Sequence, residues 1–197
     1  MRITFSGKPH QTKKTVAKLT AMLLFSLTTK SYAEVPSHCN ANEVAILDAW
    51  MTPAKTTKEN KRPTKNDKVV SLCADRKTEP YATLNYRYGR PGQVELDQSA
   101  TLKEPFFLYS ARTSPNSVLD IVYFKKANIS YYLAIAGGQA YGVDLYVYEE
   151  NRLLLHRFSG TREAEDFNLG PAEPDFTEAK SPMIRIKKPI HQPWYAR

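Results

Sequence analysis

The sequence is poor in the residues that most chemistry needs. Cysteine occurs twice and histidine four times in 197 residues. Beyond residue 33 the histidines are His38, His156 and His191. None has the spacing of a His-Glu-x-x-His helix or a zinc cluster, which excludes the common metalloenzyme patterns. There is no Gly-x-Ser-x-Gly elbow. Gly137-Gly138 is not followed by a helical pattern, so neither a phosphate loop nor a dinucleotide fingerprint is present. No segment approaches the ~20 consecutive apolar residues of a spanning helix. Nothing in the sequence asks for a metal or another cofactor.

Charge of one sign is also scarce over most of the chain. The formal net charge is +8, but residues 1–33 hold Arg2, Lys8, Lys13, Lys14, Lys18 and Lys30 and no acid. That leaves 22 basic and 20 acidic side chains for residues 34–197. So small a surplus does not neutralise a phosphate backbone, and nucleic-acid binding loses its support.

Residues 1–33 carry the three parts of an export signal peptide. A basic region runs to Lys18, an apolar stretch follows from Leu19 to Leu27, and Ser31-Tyr32-Ala33 offers small residues before a cut at Glu34. The apolar stretch is too short to anchor the chain in a ~30 Å hydrocarbon core. The first cysteine does not follow the cut directly, so lipid attachment is not expected. The mature protein is therefore expected to be periplasmic, or extracellular, and to begin at Glu34.

In such a compartment Cys39 and Cys73 read as one disulfide, worth roughly 3–4 kcal/mol by loop-closure entropy. A metal pair or reactive thiol has no Cys-x-x-Cys to support it. The loop between them is polar over Met51–Lys68, with six basic residues against Glu59 and Asp67. That composition suits a solvated loop, or a contact surface for an acidic partner or an anionic cell wall.

The middle of the chain reads as strands. Val69–Ala74 is β-rich, and Tyr81–Tyr88 alternates, with Leu84, Tyr86 and Tyr88 opposed to Asn85 and Arg87. Gly89-Arg-Pro-Gly92 is a turn followed by Val94–Asp97. Strands are expected at Pro105–Ser110, Val118–Phe124, Ile129–Ala136, Val143–Tyr148 and Arg152–Phe158. A hairpin at Glu150-Asn151 joins the last two, Asn tolerating positive φ. Glu43–Trp50 is left open as a short helix. The pattern predicts a mainly β fold, a single small antiparallel barrel or sandwich.

Three regions follow: a signal peptide over 1–33, a disulfide-linked β domain over 34–158, and a tail over 159–197. The tail is acidic, then basic and Pro-rich, with Met183–Lys187 as one edge strand.

Paired carboxylates occur at Glu149/Glu150, and the acidic stretch holds Glu163 and Asp166. A carboxylate-dependent hydrolase is the weakest reading of them, because side chains flanking a turn point to opposite faces. Twelve tyrosines, eleven beyond residue 80, suit a recognition surface or cross-strand packing equally.

Two resemblances bear on function. Val70-Ser-Leu-Cys-Ala74, Tyr86-Arg-Tyr-Gly89 and Pro91-Gly-Gln-Val-Glu-Leu96 resemble a motif of small bacterial proteins that carry signal peptides. This implies an exported β-protein and supplies no mechanism. Gly137-Gly138-Gln139-Ala140-Tyr141 is similar to the Ser-Gly-x-x-Tyr loop of periplasmic lysozyme inhibitors. In that family the loop enters the muramidase cleft, and its Ser and Tyr occupy the catalytic carboxylates. Gly138 and Tyr141 match the pattern, and Gly137 stands where that family has Ser.

The resemblance implies a binding loop of Gly137, Gly138, Gln139 and Tyr141. With the composition, it points to a non-enzymatic inhibitor or immunity-type protein that occludes a peptidoglycan-targeting enzyme or toxin. An envelope assembly protein is the alternative.

Overall fold

The computed structural model describes residues 35–54, 63–75, 81–138, 142–159, 167–169 and 182–187. The expectation of an export leader lies outside the described residues, as does most of the lysine-rich loop. Eleven strands are formed: β1 (Glu43–Pro53), β2 (Lys68–Asp75), β3 (Leu84–Arg90), β4 (Gln93–Ala100), β5 (Phe106–Ser114), β6 (Ser117–Lys126), β7 (Ile129–Gly138), β8 (Gly142–Glu149), β9 (Arg152–Phe158), β10 (Phe167–Leu169) and β11 (Met183–Arg185). No α-helix occurs among the described residues. No helix among them is long and apolar enough to cross a membrane.

All eleven strands belong to one sheet, ordered β11-β5-β6-β7-β8-β9-β1-β2-β3-β4, with β10 paired to β1 off that path. β1 is the junction between two antiparallel meanders. Its middle pairs with β2 on one side and β10 on the other, and its end pairs Thr52 with Phe158 and Pro53 with Arg157 of β9. The path ends at β4 and β11 without closing, so of barrel and sandwich the fold realises an open sheet doubled back on itself. β11 runs parallel to β5, a departure from the expected antiparallel pattern.

Glu43–Trp50 is a strand and not a helix. Leu47, Ala49 and Met51 alternate with Asp48, Trp50 and Thr52, and the first set enters the core. A helix would have spread these residues around its circumference.

The same alternation places Leu72, Tyr86 and Tyr88 on the inner face of one meander. Phe106, Phe124 and Leu145 occupy the inner face of the other. Tyr86 meets Phe124 edge-on at 4.9 Å, and Phe124 stacks on Phe106 and Tyr131, each at 4.8 Å. Ring pairs of this kind add about 0.5–1.5 kcal/mol each beyond their burial.

The chain beyond Phe158 extends this sheet. Phe167 of β10 and Met183 of β11 are buried, and the Phe106 and Ile186 N–H groups donate to the Pro182 and Leu108 carbonyls, both at 2.9 Å.

Two irregularities are set by local chemistry. In the β8–β9 turn the residue with positive φ is Glu150, at 52°, and not Asn151. In the β3–β4 hairpin, Tyr88 pairs with Leu96 and Gly89 with Val94, so Glu95 is an extra residue on the edge strand. A Cβ at Gly89 would lie 2.1 Å from the Gln93 carbonyl oxygen, so glycine is required there.

Candidate functional site

The outward face of β5–β9 is aromatic. Phe107 lies opposite Tyr123, Tyr123 opposite Tyr132, Tyr132 opposite Tyr146, and Tyr146 opposite His156. Because directly opposed residues share a face, the in-register hairpins line these five rings into a row across five strands. Phe107 and Tyr123 are 6.2 Å apart, Tyr123 and Tyr132 4.8 Å, and Tyr146 stacks on His156 at 4.1 Å. Ile121, Ala134 and Tyr148 fill the floor beside the row, with Tyr109 and Leu119 packed against them.

Burial pushes the Tyr132 phenol up to about 12. Burial first, then the Asp144 charge, raises Tyr146 further. Both are neutral phenols in the physiological range. His156 Nε2 meets Asp144 Oδ1 at 2.8 Å, which fixes the imidazole against the Tyr146 ring.

This face runs to the β7–β8 turn, the end of the sheet that holds the loop expected from the sequence. β7 ends at Gly138 and β8 starts at Gly142; Gln139 and Tyr141 lie outside the described residues. The glycines that bracket the turn are structurally demanded. Gly138 has φ +80°, and a Cβ there would sit 1.8 Å from the Asn116 carbonyl oxygen. A Cβ on Gly142 would meet the Phe158 ring at 2.6 Å.

Gly137 is different: nothing lies within 4 Å of its Cβ position. Gly138→Ala should therefore cost about 2 kcal/mol or more, through the strained φ and the displaced β5–β6 turn. Gly137→Ser should fold with stability within about 0.5 kcal/mol of the parent. Chemical denaturation of the two variants checks the pair.

On the other meander the outward face is polar and clamped. Cys39 and Cys73 form the disulfide, with Cα atoms 5.5 Å apart, as expected. Joined to each other, the sulfurs are withdrawn from metal ligation and nucleophilic attack. The bond holds residues 35–40 over a buried ion pair. Arg87 Nη1 and Nη2 donate to the two Glu43 oxygens at 2.5 and 2.9 Å, and Arg87 Nε reaches Asp97 at 3.0 Å.

Beside this pair, the His38 backbone N–H donates to Ser71 Oγ, and Ser71 donates to the buried Asp48 at 2.5 Å. The His38 ring points to the Gly89 carbonyl. Serine, histidine and aspartate thus meet here in a structural chain. The hydroxyl donates to the carboxylate, and the imidazole does not touch it.

The carboxylates expected for the hydrolase reading are engaged or unplaced. Glu149 pairs with Arg152 and accepts from Asn128 Nδ2 at 2.9 Å, and the Arg152 guanidinium lowers its pKa. With Glu150 and Asn151 these residues line a shallow depression at the hairpin tip. Glu163 and Asp166 lie outside the described residues.

Neither the aromatic row nor the Arg87 cluster was read from the sequence. The hairpin registers bring residues as distant as Phe107 and His156 into one line. The tyrosine count beyond residue 80 was the only hint of the row. Arg87 alternating with inner-facing tyrosines was the only hint of the cluster.

Fold and site together define a disulfide-clamped, open β-sheet protein with an outward aromatic face. Compared with known protein families, curated proteins and solved structures, the chain matches none.

Proposed function

We propose that the protein is an exported, non-enzymatic binding protein of inhibitor or immunity type. It occludes a cell-wall-degrading enzyme or toxin with the β7–β8 loop and the aromatic face that runs up to it. The observation that carries this reading is the row from Phe107 through Tyr123 to His156. Aromatic side chains on a rigid sheet give large contact area at small entropic cost, the composition favoured at binding hot spots.

Two further facts support it. The Cys39–Cys73 bond fits an oxidising compartment such as the periplasm. Glu43, Asp97, Asp144 and Glu149 are each held by a cationic or imidazole side chain, which suits a scaffold better than acid–base work.

The test is inhibition of cell-wall lysis by a panel of purified muramidases and peptidoglycan amidases. One of them should lose its activity at equimolar protein. Tyr123→Ala and Tyr141→Ala should each weaken that inhibition by about thirty-fold, the kinetic equivalent of about 2 kcal/mol, with circular dichroism unchanged. Full lytic activity across the panel at a large excess of the protein overturns the proposal.

A further inference from the structure

A second group of polar side chains lies on the opposite, inner face of the sheet. It sits where β1 ends and β2 begins. Arg157 points inward because it stands opposite Leu145 and Pro53, and Leu145 is in the core. Tyr88 points inward opposite Val70, and Lys68 shares its face two residues before Val70. The Lys68 ammonium lies 5.2 Å from the centre of the Tyr88 ring and is paired with Glu95.

Arg157 is placed differently from the other shielded guanidinium. Arg87 has Glu43, Asp97 and the His38 carbonyl around it. Arg157 has no ion-pair partner among the described residues, and its Nε is buried without an acceptor. The Tyr88 hydroxyl, in a residue only 7% exposed, likewise completes no hydrogen bond. The two groups face one another: burial raises the Tyr88 phenol, and the Arg157 charge pulls it part of the way back.

Two adjacent donors shielded from water and lacking an acceptor are costly unless an acceptor is supplied. A guanidinium fork beside a hydroxyl matches the oxygens of a carboxylate or phosphate. The charge agrees in sign, with Lys68 and Arg157 against Glu95. The strand ends at Pro53 and Lys68 also root the segment 54–67, in which five basic residues face two acidic ones.

We propose that Arg157 and Tyr88 form an oxyanion site at the inner end of the sheet, with Lys68 beside it, taking a phosphate or carboxylate group. The site is separate from the outward aromatic row, and its test stands apart from the inhibition assay.

Inorganic phosphate and acetate are the probes, each titrated into the full chain at ionic strength held constant with sodium chloride. One of the two should raise the thermal midpoint saturably, by about 3–6 °C at ten times its Kd, and so identify the preferred oxyanion. Arg157→Gln and Tyr88→Phe should each weaken the apparent affinity at least tenfold. Tyr88→Phe keeps the ring packing, so the comparison survives if the arginine variant folds poorly. The Arg157 Nε resonance followed by NMR should move along the same binding curve. A flat response in the parent chain, or an unchanged response in Tyr88→Phe with a stationary Nε resonance, overturns the proposal.

Discussion

Arg87→Met should lower the free energy of unfolding by about 3–5 kcal/mol, the usual cost of stripping one member from a buried ion pair. The side chains of Arg87 and Glu43 are 8% and 7% exposed, so water cannot replace what is lost. Glu43 would keep only the Asn40 N–H at 2.6 Å and Asn85 Nδ2 at 2.7 Å. The expected remedy is a second substitution. In Arg87→Met/Glu43→Gln the stranded charge is gone, and a large part of the loss should return. Urea denaturation of the four chains of the double-mutant cycle measures this directly.

The same pair sets an acid limit. The Arg87 hydrogen bonds hold the Glu43 carboxyl below its ordinary range, against an opposing push from burial. A depressed folded pKa adds stability above the unfolded value near 4.5, and that contribution fades as pH falls through the folded pKa. The parent should therefore lose stability below about pH 4.5. In Arg87→Met burial alone acts on Glu43, so the loss should begin at higher pH. An identical acid profile in the two chains would count against the pair as its cause.

The second large effect is expected from the disulfide. Cys39→Ser/Cys73→Ala should cost roughly 3–4 kcal/mol by loop-closure entropy. Cys73 is fully buried, and Cys39 belongs to the segment that covers Arg87 through the His38 carbonyl at 3.1 Å. Without the bond, the His38 and Cys39 amides should exchange with solvent much faster than the core strands do. The two losses should also fall short of additive, because both changes release the same segment from the same face. Additive losses, with unchanged exchange at His38, would mean that the covalent link and the ion pair hold different parts of the fold.

Much of the sheet was legible in the sequence because a half-buried strand writes its face into every second residue. Leu84, Tyr86 and Tyr88 were separable from Asn85 and Arg87 on that ground, and the β7–β8 and β8–β9 turns were placed by their glycines and by Glu150-Asn151. The Cys39–Cys73 bond followed from an even count in a chain expected to be exported.

What stayed hidden depends on pairing between distant segments. Glu43–Trp50 is ambiguous alone and becomes a strand once β2, β9 and β10 supply its hydrogen bonds. The parallel β11 is unsignalled because a three-residue segment has no period to read. The Glu43–Arg87 contact spans 44 positions, and no local pattern records it.

The extra residue at Glu95 has a consequence for crowding. β4 ends the sheet and offers its outer edge to any neighbouring chain. Lateral growth of fibrils needs a flat, regular rim on which identical backbones can stack. The inserted residue kinks that rim, and the Glu95 and Asp97 carboxylates add charge that a second copy would bring against its own. The open sheet can thus be left uncapped at this border without seeding precipitation at high concentration.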